Sequence, residues 1–238
     1  MKRALFSVVL SLSALCICTY AQSGLPSKCK PCLFYGGDLN PNDPNADAFP
    51  NEVTNKLGAS TYASIIVPKG HTLQIEGILF QTVFEYYDQT DPQSAVWQIR
   101  TGDIFNNGGT LVAEGGAPLS TKPTGRALNG WPEYTLAIEV NPPVQLSGGS
   151  RHPGTQYWFN FVPQCTAPNN PNCDDVQYLA SNTTQQTNGF RAFAQPGDAI
   201  VLDSPTYHYD WAQCFSVGGY NGIQCDYLSF GLMGKVLQ

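Results

Sequence analysis

The sequence predicts an all-β protein, a two-sheet antiparallel β-sandwich of jelly-roll type with about ten strands. Three observations carry that expectation. Short runs alternate apolar with polar residues, and turn formers recur between them, with 23 Gly and 18 Pro among 238 residues. No stretch after the first twenty residues has the 3.6-residue periodicity of an amphipathic helix. Charged side chains make up only 13% of the chain, too few to solvate the outer faces of many helices.

In chain order, residues 1–21 read as a secretory signal peptide. Lys2 and Arg3 precede an apolar run from Ala4 to Cys18, and Thr19-Tyr20-Ala21 supplies small residues where a signal peptidase reads. The run is too short for a membrane span, and no second long apolar segment follows. The expected destination is extracellular or periplasmic, where disulfides persist. Without Lys2 and Arg3, ten basic side chains face eighteen acidic ones, net −8. Such a surface repels phosphate backbones, so nucleic acid is not an expected partner.

Residues 22–61 form an extended Pro- and Asn-rich lead-in, and residues 62–238 the sandwich. The first strand is expected over 62–67, ending at the turn Pro68-Lys69-Gly70. From His71 to Tyr87 a long or bent strand should put Leu73, Ile75, Gly77 and Leu79 on one face, with Gly77 as the natural bulge. Ala95–Thr101 puts Trp97 and Ile99 together, and Asn106-Asn107-Gly108-Gly109 turns the chain into a strand over 110–114. Tyr134, Leu136, Ile138 and Val140 alternate with Thr135, Ala137 and Glu139, the clearest half-buried strand. Tyr157, Phe159 and Phe161 alternate with Trp158 and Asn160; bulk on both faces predicts a central strand. Shorter strands are expected over 176–179, 190–194 and 199–202, and a closing one over 228–232.

Six cysteines remain after the signal and allow fifteen connectivities. Spacing favours the local pairs Cys29–Cys32, Cys165–Cys173 and Cys214–Cys225, each closing a short loop with Pro, Asn or Gly.

Several stretches together carry a likeness: Phe34-Tyr35-Gly36-Gly37-Asp38, Ala95 through Gly102, Asn107 through Ala113, Gly154-Thr155-Gln156-Tyr157-Trp158, and Leu228 through Leu232. In these the chain resembles a group of bacterial exported β-sandwich proteins associated with C-terminal sorting anchors (PEP-CTERM or choice-of-anchor type). The resemblance implies the fold and export, and no catalytic residue. With Gln238 reached and no anchoring helix, the expectation is release instead of tethering.

Three segments carry candidate chemistry. Asp38, Asn40, Asn42, Asp43 and Asp47 place oxygens at near-alternate positions, a set suited to calcium, and no other cofactor is expected. The competing reading is an Asx-turn and polyproline loop whose side chains cap their own backbone. Cys29-Lys30-Pro31-Cys32 has dithiol redox spacing but lacks a strand–helix context, which favours a structural disulfide. Tyr207, Tyr209 and Trp211 interleave with His208 and Asp210, and Tyr220 can join them across the 214–225 loop. Rings beside polar groups suit the stacked faces and hydroxyls of a sugar; the alternative is one more buried strand.

No nucleophile elbow, zinc-protease helix or phosphate loop is present. The carboxylates Glu76, Glu85, Glu133 and Glu139 share no recognisable motif for glycoside hydrolysis. The expected function is therefore secreted, non-catalytic recognition of a polysaccharide or cell-surface component through 207–211. A structural or adhesive surface protein is the second reading, and a glycosidase the third.

Overall fold

The computed structural model describes residues 32–40, 42, 48–50, 60–84, 93–164, 177–182, 201–204, 209–213 and 227–237. Its strands are β1 (Cys32–Tyr35), β2 (Ala48–Pro50), β3 (Ser60–Pro68), β4 (Thr72–Phe84), β5 (Ser94–Thr101), β6 (Thr110–Leu128) and β7 (Trp131–Ser147). β8 (Gly154–Gln164), β9 (Gln177–Asn182), β10 (Val201–Ser204), β11 (Tyr209–Gln213), β12 (Tyr227–Leu228) and β13 (Phe230–Leu237) follow, and a single helical turn, α1 (Ile104–Asn107), joins β5 to β6.

All the pairings are antiparallel, so the chain is all-β, as the alternation predicts. The main hydrogen-bonded path runs β1-β13-β4-β7-β6-β5-β8-β3-β10-β11, with β2, β9 and β12 attached beside β4. The described strands thus form one continuous sheet, curled as a half-barrel, where two separate sheets were expected. The reason lies in β6. Its first half, Thr110–Pro118, pairs with β5, and its second half, from Leu119 to Leu128, pairs with β7. One strand thereby carries the ladder from one half of the sheet into the other.

The two halves bury alternate side chains against each other. Phe80 on β4 meets Phe161 on β8 edge-on with centroids 4.9 Å apart, and Phe230 on β13 lies 5.7 Å from Phe80. Ile65, Ile99, Leu136, Ile138, Phe159 and Leu232 fill the same cluster. Burial of this kind stabilises by roughly 25 cal/mol per Å² of apolar surface.

Alternation along β7 matches expectation: Tyr134, Leu136, Ile138 and Val140 all face this core. So does that of β8, whose opposite face buries Trp158 with Tyr62 and Ile104 beneath α1. β4 differs. Its pairing with β13 shifts register between Ile75 and Gly77, with one extra residue on β4, so Leu73, Ile75, Ile78 and Phe80 face the core. Leu79, expected beside Ile75, lies on the other face with Tyr35 and Ala137. One extra residue in a period of two inverts every later side chain. Gly77 sits there because a Cβ would fall 2.8 Å from the Ile138 carbonyl oxygen and 2.3 Å from Met233.

Candidate functional site

The outer face of the β4–β7–β6 half carries a buried polar chain, roofed by the segment 33–39. Thr135 donates to Gln81 Oε1 at 2.7 Å, Gln81 Nε2 donates to the Tyr35 hydroxyl at 3.0 Å, and that hydroxyl donates to Asp38 Oδ1 at 2.5 Å. Arg126 then bridges two carboxylates, Asp38 Oδ1 at 3.2 Å and Glu133 Oε2 at 2.6 Å. Thr124 also donates to Glu133 Oε2 at 2.6 Å. Ser229 donates to the Gly37 carbonyl, tying the roof to the end of β12. Glu133 is 1% exposed, and its Oε1 has no hydrogen-bond partner among the described residues. Burial pushes its carboxyl above the usual range, while Arg126 and the Thr124 hydroxyl hold it back. Burial also drives the Tyr35 phenol up, and neighbouring Asp38 adds to the effect.

This arrangement decides what Asp38 does. Its Oδ1 is engaged by an arginine and a phenol, while Asn40 Oδ1 accepts the Asn42 backbone N–H at 3.2 Å, as in an Asx-turn. Asp43 and Asp47 lie outside the described residues. Among the described residues, no three His, Cys, Asp or Glu side chains gather closely enough to hold a metal ion. Cys32 is disulfide-bonded, and every other cysteine of the chain lies outside the described residues, the pairs Cys165–Cys173 and Cys214–Cys225 included.

Of the ring cluster, Tyr209, Asp210 and Trp211 lie on β11, at the end of the strand order, where Ser204 pairs with Tyr209 and Leu202 with Ala212. The register of this pair shifts between Leu202 and Ser204, which puts one extra residue into β11 between Tyr209 and Ala212. Tyr207, His208 and Tyr220 lie outside the described residues.

A second region was not singled out by the sequence. Between the end of β5 and the β7–β8 loop lies a cleft of about 500 Å³, lined by Thr101, Gly102, Ser150, Arg151, Thr155 and Gln156 with the glycines of the loop. The loop is stapled to the β3–β4 turn. Gly148 N–H donates to the His71 carbonyl at 2.8 Å, Gly70 N–H to the Gly149 carbonyl at 3.0 Å, and Lys69 N–H to the Pro153 carbonyl at 3.2 Å. A Cβ on Gly148 would lie 1.8 Å from the Pro68 carbonyl oxygen, and one on Gly154 would lie 2.0 Å from that of Val67. Glycine is what lets the two turns close to this distance.

No known protein-family model matches the chain, and no curated protein is significantly similar to it. The site must therefore speak through its own chemistry. Among the described residues the cleft lining contains hydroxyls, an amide and a guanidinium, and no carboxylate. Glu76 is instead paired with Lys235 at 3.6 Å and Glu133 with Arg126, while Glu85 lies outside the described residues. The signal that could have found the cleft is Gly148-Gly149-Ser150-Arg151: a glycine-rich turn that ends on a cation. No helix of the described residues is long and apolar enough to cross a membrane.

Proposed function

We propose that this is an exported, non-catalytic binding protein that recognises an extracellular polysaccharide or cell-surface component through the segment 207–211. The observation that carries the reading is that Tyr209 and Trp211 both stand on β11, the five-residue strand at the end of the strand order. Aromatic residues this close together on one strand suit successive sugar units, whose C–H faces stack on rings. Export rests on the N-terminal charge and apolar pattern, and the disulfide at Cys32 fits an oxidising compartment. In this reading the curled sheet is a jelly-roll-type sandwich whose layers share β6, in keeping with the bacterial exported group that the chain resembles.

Polysaccharide pull-down and a glycan array on the mature protein test the proposal. Saturable binding should weaken at least tenfold in the combined Tyr207→Ala, Tyr209→Ala, Trp211→Ala variant. Unchanged binding by that variant defeats the placement, and no saturable binding by the parent defeats the function.

A further inference from the structure

We propose that the cleft between β5 and the β7–β8 loop is a subsite for a carboxylate-bearing sugar, a uronic-acid unit, held by Arg151. The inference rests on the glycan-binding reading above and gives it a ligand class.

The cleft has the size of a small-molecule site, about 500 Å³. Among the described residues its one charged lining side chain is a cation, although the chain as a whole is net −6. Arg151 is exposed, and it joins no ion pair with the described residues. A guanidinium offers a planar fork of donors that matches a carboxylate at two points, and an unengaged one has that fork available.

The remaining lining suits the hydroxyls of the same ligand. Thr101 donates its hydroxyl proton to the Gln156 carbonyl at 2.8 Å, which leaves its oxygen free to accept. Gln156 donates Nε2 to Ser64 Oγ at 2.9 Å, so its Oε1 is oriented as an acceptor. Ser150 and Thr155 add hydroxyls that both donate and accept. Gly102, at φ +84°, has no atom within 4 Å of where a Cβ would stand, which keeps the entrance open. The stapled loop holds these groups in place before the ligand arrives, and such preorganisation lowers the cost of binding. An acidic sugar thus meets a cation at one end and alternating donors and acceptors along its ring.

Calorimetric titration of the full mature chain with tetragalacturonate, and in parallel with the neutral galactose tetramer, tests this. The parent should bind tetragalacturonate at least tenfold more tightly than the neutral tetramer, with the advantage shrinking as salt rises from 50 to 500 mM (roughly a threefold shorter Debye length). Arg151→Gln should abolish the preference without moving the thermal midpoint, and Arg151→Lys should restore part of it. Equal tetragalacturonate affinity in parent and Arg151→Gln overturns the subsite. So does binding of the neutral tetramer alone; if that binding is lost in the 207–211 variant, the broader proposal stands without this one. Binding of neither sugar, with none in the glycan array, overturns both.

Discussion

Arg126→Met removes the cation that holds two carboxylates together, and its cost should depend on pH in a way that identifies Glu133 as the cause. The Glu133 side chain is fully shielded, and the Arg126 side chain is 17% exposed. Breaking a buried pair by removing one partner costs about 3–5 kcal/mol, and the partial exposure of Arg126 argues for the lower end, about 3 kcal/mol at pH 7. That penalty raises the Glu133 pKa further, because the carboxylate is the form that loses its partner. Glu133 already titrates above its unfolded value in the parent because burial disfavours its charge. A raised pKa contributes stability that is complete below the unfolded value, near 4.3, and is lost as pH rises through the folded value. The variant extends that loss to higher pH. Urea denaturation followed by tryptophan fluorescence at pH 4, 5.5 and 7 reads it directly. The difference between parent and variant should grow from under about 1 kcal/mol at pH 4 to about 3 kcal/mol at pH 7. Adding Glu133→Gln to Arg126→Met should flatten the trend. A penalty of the same size at pH 4 and pH 7 would refute the reasoning, since the arginine would then matter only for packing.

The Tyr35 phenol gives the opposite end of the pH scale. Its pKa is raised by burial and by Asp38, so above pH 10 only the unfolded chain ionises it, and stability should fall by up to about 1.4 kcal/mol per pH unit. Denaturation at pH 9, 10 and 11 should give a shallower decline for Tyr35→Phe; an identical slope would assign the loss to other groups. Glycine substitutions around the cleft should separate two costs. Gly148→Ala drives a methyl into the Pro68 carbonyl and should destabilise by more than about 2 kcal/mol. Gly102→Ala meets no atoms and should cost only the left-handed backbone, about 1–2 kcal/mol. Thermal melts of the two variants decide between these mechanisms, and equal midpoints would contradict the packing described for the loop.

Much of the fold was legible where alternation is strict. Tyr134 through Val140 reveals its core face because large apolar residues take every second position, and Tyr157 through Phe161 reads as central because both its faces carry bulk. β6 was legible only to Glu114, because the rest of it contains Gly115-Gly116, Pro118 and Pro123, residues that read as breaks. Those prolines are tolerated for a reason visible only in the pairing. Each half of β6 pairs with one neighbour, Pro118 opposite Ser94 and Pro123 opposite Tyr134, leaving an edge on the other side where a missing N–H is not needed. The link to β7 did carry a local signal: Asn129-Gly130, at φ 52° and 89°, is a two-residue hairpin turn.

The bulge at Gly77 was legible as a bulge, yet the face inversion it imposes on Leu79 was not, because register is a property of two strands. For the same reason the partners of Asp38 were hidden. Arg126 stands 88 positions away, so the sequence displays an acidic loop where the folded chain holds an ion pair.

The way β6 is shared has a mechanical consequence. A molecule made of two independent layers can lose one and keep the other, with two melting steps and a half-folded species between them. Here the same nineteen-residue strand is hydrogen-bonded into both halves, so freeing it from either neighbour withdraws the border of the other. The chain should therefore melt in one step, and a protein that opens all at once presents little partly unfolded surface to a protease.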